Sequence, residues 1–435
     1  FAILLGSDNG GTTTPTDGSV TGDKVASTGA FTIGAAGTAS SLAGIPFYNG
    51  DTTSIYTHDV SGTDSTATHN TAYGITAMDA ITTGDANTAI GWSAGSALNT
   101  GTQNTIVGKG ALASASSAGS NTAIGWNAAY AVTTGTTAIT AIGDGAYNSA
   151  GDTEAHNIAI GVNAMAAGSL AGAEYNIAIG NYALDALTSG DENVIIGDKA
   201  GTDNTTGNSN TFVGSQAGTD NTTGYHNTII GRHAGLKSTT GNENTFVGVY
   251  AGYESIGASH QNSFFGDQAG YNVTSGDNNV CIGYQAGTSA SPTQLTTGSN
   301  RIIMGNNSTT NCDIKVDWTV TSDKRDKTDV EAFNMGLDFV NKLNPVTYRW
   351  DMRSDYENGT PDGTHKKPKL FSGLIAQDVE ILEREYGYKV EDDTAVITSV
   401  NENGNYGLTY SKFVPILINA VKELSAEIKA LKEGN

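Results

Sequence analysis

Basic residues are scarce in this chain: 22 Lys and Arg stand against 44 Asp and Glu among 435 residues, a formal net charge of −22. The scarcity is sharpest upstream, where residues 1–322 hold 7 of the 22 and 24 of the 44. An acidic body repels nucleic acid and anionic lipid surfaces, so neither is an expected partner. Cysteine is limited to Cys281 and Cys312, which excludes a disulfide framework. Cys281 falls in a slot filled elsewhere by Ala or Phe and is expected in a core as a small apolar residue. No apolar run approaches the roughly 20 residues of a membrane-spanning helix. The start FAILLG has no initiator Met and no recognisable signal peptide, so a fragment or a processed form is expected. The histidines (His58, His69, His156, His226, His233, His260 and His365) are scattered without metal spacing, and no metal or cofactor is expected.

Glycine, by contrast, is abundant and periodic. The motif Asn-x-x-hydrophobic-Gly recurs, with Ile139 and Arg301 in the Asn slot of two copies, and its glycines fall at 74, 91, 108, 125, 143, 161, 180, 197, 214, 231, 248, 266, 283 and 305, mostly 17 residues apart. Such a period is a solenoid rung rather than a helical hairpin. An alanine stands three residues past every glycine but the last, from Ala77 to Ala286. The apolar pair after Asn reads as a short strand whose side chains point to opposite faces. One face packs inside the coil; a neighbouring copy of the chain is expected to cover the other. Glycine permits the positive φ of a sharp corner, alanine fits a tight interior, and stacked asparagines can pair their amides from rung to rung. Fourteen rungs at ~4.8 Å give a rod on the order of 65 Å.

Over about residues 70–305 the rung resembles the parallel β-roll heads of trimeric autotransporter adhesins and the shafts of phage tail fibres. Calcium-binding rolls need G-G-x-G-x-D, which is absent, and ice-binding solenoids need a flat Thr-x-Thr face. Residues 1–69 are Gly/Thr/Ser-rich and weakly periodic, an N-terminal or attachment segment.

Beyond the repeat, Cys312, Ile314, Val316, Trp318 and Val320 alternate with polar residues, so 306–322 is expected to be a connecting strand. It runs into S-D-x-R-x-K: Ser322, Asp323, Arg325 and Lys327. Val330, Phe333, Leu337 and Val340 have helical spacing, with Pro345 after the helix end. Val346–Trp350 and Phe371–Ala376 read as strands, Gln377–Glu385 as a helix, and Asn401-Glu402-Asn403-Gly404 as a hairpin turn. A final helix from about Lys412 carries Leu417, Val421, Leu424, Ile428 and Leu431 at 4-3-4-3 spacing, a coiled-coil seam of two heptads. Two heptads are marginal alone, so a helical bundle between chains is expected.

Residues 312–435 resemble the self-cleaving intramolecular chaperone at the C-termini of phage tailspikes, tail fibres and endosialidases. The likeness rests on Ser322–Lys327, on Gly336-Leu337-Asp338, on Leu343-Asn344-Pro345-Val346-Thr347-Tyr348, on Gly373-Leu374-Ile375-Ala376-Gln377-Asp378-Val379, and on the terminal helix. It implies a homotrimer, Ser322 as nucleophile, Lys327 as general base and scission between Ser322 and Asp323. A lysine starts near pKa ~10.4 and a useful base sits nearer ~7–8, a shift that burial on trimer formation would supply. Asp326 and Asp329 must then point away from Lys327, while Arg325 orients Asp323 or holds the turn.

The fold class that follows is mainly β: a trimeric parallel β-roll of 17-residue rungs, then a small α+β chaperone, residues 323–435, ending in a trimeric helical bundle. The expected function is a viral tail fibre carrying host recognition, with single-turnover Ser–Lys autoproteolysis as its only enzymatic step. Expected partners are two further copies, a host glycan receptor touched by Tyr284 and Trp318, and a virion attachment protein. The expected location is the virion. A tailspike enzyme cleaving polysaccharide needs paired carboxylates in a cleft, for which near-identical rungs leave little room. A cell-anchored adhesin needs a membrane-anchoring barrel, and a DNA-bound regulator fits the acidic body poorly.

Overall fold

The computed structural model describes residues 54–57, 66–133, 138–149, 156–167, 170–401 and 404–434, with the backbone of two short strands, β1 (Ser40–Leu42) and β2 (Ile45–Phe47), that pair antiparallel. Most of the expected attachment segment, His58, and residues 402–403 of the expected hairpin turn lie outside the described residues.

Fifteen strands, β3 (Ile55–Tyr56) to β17 (Ile302–Met304), stack in sequence order as one parallel sheet. Partners fall in strict register, as Ile195 with Phe212 and Phe212 with Ile229. The sheet begins one strand ahead of the first Asn-x-x-hydrophobic-Gly motif. After the two-residue β3, each strand is three residues of the form Thr-Ala-Ile or a variant, central side chain buried and outer ones not, as at Thr88–Ile90.

Hydrogen bonds join the rungs beyond the strands too. In the rung that starts at Thr88, Ser93 N donates to Ile75 O at 2.9 Å, Gly95 N to Ala111 O at 2.9 Å and Asn99 N to Ser116 O at 2.8 Å. The residue before each asparagine is left-handed although seldom glycine, for example Ala86 at φ 58° and Gln103 at φ 61°. Its N–H reaches back to the preceding rung, Gln103 N to Asp85 O at 2.9 Å, and that bond holds the conformation. At the corner glycine the constraint is close approach as well as φ: a Cβ on Gly91, φ +136°, would lie 2.6 Å from Gly108 O.

Two rows fill the interior. The alanines from Ala77 to Ala286 are fully buried beside the central strand residues. In most rungs the volumes of the strand centre and of the residue six positions later are complementary; Ala89 with Gly95, Ile106 with Leu112 and Ala123 with Ala129 are exceptions. Ala141, Ala159 and Ala178 are followed by the buried Tyr147, Met165 and Leu184, whereas Phe212, Phe246 and Phe264 are followed by glycines. A Cβ on Gly218 or Gly252 would meet the Phe212 or Phe246 ring at 2.7 Å. Large and small residues thus alternate to keep the coil filled at interior density. Cys281 occupies the strand centre of β16 (Val280–Ile282), as expected for a small core residue, and burial pushes its thiol up to about 12.

The asparagine ladder forms as expected. Asn87 Nδ2 donates to Asn70 Oδ1 at 3.1 Å and Asn104 Nδ2 to Asn87 Oδ1 at 2.9 Å. Most amides also donate to a carbonyl of their own rung, as Asn104 to Ala118 O at 2.9 Å, and the amide oxygens take the backbone N–H of the same slot in the next rung, including Ile139, which stands in the asparagine slot and interrupts the side-chain ladder. Buried amides this fully partnered rigidify the coil instead of weakening it.

The C-terminal region is α+β. Helix α1 (Leu337–Lys342), the antiparallel pair β18 (Val346–Tyr348) and β19 (Phe371–Gly373), helix α2 (Ala376–Glu385), the hairpin β20 (Thr398–Val400) and β21 (Tyr406–Leu408), and helix α3 (Phe413–Glu433) follow in order. Its core is Met335, Phe339, Val379, Leu382, Ile397, Phe413 and Ile416. The buried Glu383 carboxylate accepts the N–H groups of Val396, Ile397 and Thr398 and the Thr398 hydroxyl, tying α2 to the hairpin.

Two expectations fail. The helix proposed from Val330 starts only at Leu337, because Asp329 takes a left-handed φ of 50° and Glu423 of α3 caps the new start, accepting from Leu337 N at 2.6 Å. The expected strand over 306–322 is absent from the single chain: residues 312–321 are irregular, with a bend at Lys315 and Val316, and exposed, with no strand partner.

Candidate self-cleavage site

The six residues from Ser322 to Lys327 form one local structure. Asp323 stands as the cap of a short 3-10 turn, Lys324–Asp326, and its Oδ1 accepts Arg325 N at 2.9 Å. Arg325 folds back on the same carboxylate, Nη2 to Oδ2 at 2.7 Å and Nε to Oδ1 at 3.1 Å. The guanidinium first, and the Arg325 backbone N–H second, hold the Asp323 carboxyl below its usual range. The turn closes as Lys327 N donates to Lys324 O at 3.3 Å. That brings the Lys327 ammonium group to the Ser322 hydroxyl, and Lys327 Nζ hydrogen-bonds Ser322 Oγ.

The pair expected from sequence is therefore in contact, and Arg325 both grips Asp323 and holds the turn. Among the described residues Lys327 makes no salt bridge, so Asp326 and Asp329 do not engage it. Both Ser322 and Lys327 are exposed in the single chain. The arrangement puts a hydroxyl and an amine in hydrogen-bond contact, in a solvent-exposed setting and not the water-poor one in which a lysine amine loses its proton readily.

Tyr284 and Trp318 do not meet. Tyr284 follows the corner Gly283 on the solenoid surface and Trp318 lies in the connector; both are exposed and no ring contact joins them. An aromatic cluster on neighbouring rungs escaped the sequence reading. Tyr253 stacks on Tyr271 at 4.9 Å, Arg232 sits over Tyr250 at 4.8 Å, and Lys237 sits over Tyr253 at 5.1 Å while pairing with Glu254 at 2.8 Å. The signal was positional: Tyr253 and Tyr271 share one offset from their corner glycines, Gly248 and Gly266. With their faces taken by each other and by Lys237, these rings buttress the coil sideways and leave mainly edges for a ligand. Among the described residues no His/Cys/Asp/Glu group is placed to hold a metal, and no helix is long and apolar enough to cross a membrane.

Against family models, residues 322–388 match the chaperone of endosialidase, a match that starts at Ser322 itself. Comparison with curated proteins and with solved structures gave no match. A parallel β-solenoid of about 17-residue rungs is thus followed by a C-terminal region whose residues 322–388 carry the endosialidase chaperone match.

Proposed function

We propose that three copies of this chain form a viral tail fibre whose C-terminal domain sets the three in register and then severs itself between Ser322 and Asp323. The observation that carries the reading is the Lys327–Ser322 hydrogen bond at the first residue of the family match. Ser322 serves as nucleophile and Lys327 as general base. Because both are exposed in one chain, the base is switched on only when neighbouring copies exclude water from it. Scission then reports completed assembly.

Two apolar surfaces support the trimer. Along the solenoid the third strand residues, Ile90, Ile196, Ile230, Phe265 and Ile282 among them, form a continuous stripe open to solvent. At the C-terminus only Phe413, Ile416 and Ala420 of α3 are buried, while Leu417, Val421, Leu424, Ile428 and Leu431 project with no partner among the described residues. Contiguous apolar surface on that scale marks an interface.

The proposed role of the fibre is host recognition at the end bared by scission, with Tyr284 and Trp318 as candidate contacts to a host glycan and the N-terminal part joined to the virion. Tyr284→Ala is expected to lower adsorption to host cells; adsorption equal to wild type removes Tyr284 from the contact. The cleavage itself is tested on a denaturing gel of wild type beside Ser322→Ala. Wild type yields the 113-residue piece 323–435, and the variant does not. Identical single bands contradict active scission.

A further inference from the structure

We propose that residues 312–321 of three copies pair with one another as parallel strands about the three-fold axis, apolar side inward, and stay on the shaft after scission as its permanent end. The inference rests on the trimer reading above and names the surface through which the chains lock near the cut.

The segment has the pattern of a half-buried strand and none of the partners. Cys312, Ile314, Val316, Trp318 and Val320 alternate with Asp313, Lys315, Asp317 and Thr319. A two-residue alternation has meaning only where one face is covered. Here nothing covers it: Val316 is 74% exposed, Trp318 71% and Val320 80%. Among the described residues no backbone–backbone hydrogen bond involves positions 310–322. Ile314, Val316 and Val320 are β-branched and favour an extended backbone, which the bend at Lys315 and Val316 interrupts in the lone chain.

Three features select a second copy of this chain as occupant. The first is continuity. The segment joins the apolar stripe of the solenoid to the domain that ends in the open α3 seam, so the same copies pass beside all three. The second is charge. Under cyclic symmetry equal residues of the copies come level. Lys315 then lies diagonally between the neighbour's Asp313 and Asp317, within reach of a long side chain. The polar face is self-complementary, whereas an acidic partner would meet two aspartates for each lysine. The third is position: the segment ends at Ser322, so aligning three strands aligns three cleavage turns and draws each toward its neighbours. In this arrangement Trp318 faces the other copies, leaving Tyr284 as the aromatic available to a receptor.

Cys312 supplies the probe. It shares the phase of Ile314 to Val320, so three thiols converge near the axis. Cys281 stays protonated in the core and does not compete. Oxidation of the purified protein with copper–phenanthroline in air joins two thiols into one disulfide, their two electrons passing to the oxidant. The expected result is that two chains in three run as a covalent dimer on a non-reducing gel, at a rate unchanged on dilution. Cys312→Ser abolishes the band. On the same sample, hydrogen exchange at the amides of 313–321 is slowed by about a hundredfold against an unpaired segment. A particle of trimer mass whose Cys312 does not link, links only in proportion to concentration, or whose amides exchange freely overturns this inference and leaves the trimer standing. A particle of single-chain mass overturns both.

Discussion

Asn193 shows how much one residue carries in this coil. Its Oδ1 accepts Asn210 N at 3.0 Å and Asn210 Nδ2 at 3.1 Å, and its own Nδ2 donates to Asn176 Oδ1 at 3.0 Å and Gly207 O at 2.9 Å. All of these groups lie in the dry interior. Asn193→Ala therefore strands the Asn210 N–H, while the Gly207 carbonyl keeps its bond from Asn204 Nδ2 at 3.3 Å, for a loss of about 1–3 kcal/mol, the cost of one unsatisfied buried group. Thermal unfolding monitored by circular dichroism checks it; a melt superimposable on wild type would mean that the ladder contributes nothing net. At the cleavage turn the residues weigh differently. The Arg325–Asp323 pair is solvent-facing and adds little stability, but it shapes the loop that sets Lys327 on Ser322.

At the scale of the element, the rung was the most legible part of the sequence. Fixed slots for Asn, the strand centre, glycine and alanine repeat on a 17-residue period, and each slot took the role its chemistry implied. The volume exchange between strand centre and the sixth residue after it was not legible, because the two positions meet only inside the folded coil. It yields a test. Phe212→Ala alone leaves a cavity costing about 3–5 kcal/mol. Gly218→Leu alone drives a side chain into the Phe212 ring. The two together reproduce the Ala178 and Leu184 pairing, in which Leu184 already takes φ 56°, so the double variant should be more stable than either single one. Denaturant titration of the three proteins decides it; additive losses would remove the volume rule. Elsewhere local pattern misled. The apolar spacing from Val330 to Val340 is helical on paper, but Asp329 and the Glu423 cap move the start to Leu337. The alternation over 312–320 is strand-like, yet a strand needs a neighbour that one chain does not hold.

For the whole molecule, the division of labour follows from how parallel coils fold. Near-identical rungs can pair one step out of register at little cost, and their long-range contacts form slowly. A C-terminal clamp that joins chains first fixes the register before the rungs stack. In the proposed fibre, cutting it away afterwards makes the finished shaft hard to unmake, so stability becomes a matter of rate. In the proposed trimer, the open stripe on the solenoid, the unpaired connector and the bare α3 seam are three stretches of one interface. The mass of the uncut Ser322→Ala protein in dilute solution, by mass photometry, tests this most directly. Trimeric assembly gives particles of three times the 44.7 kDa chain mass. A uniform population of single chains would contradict it.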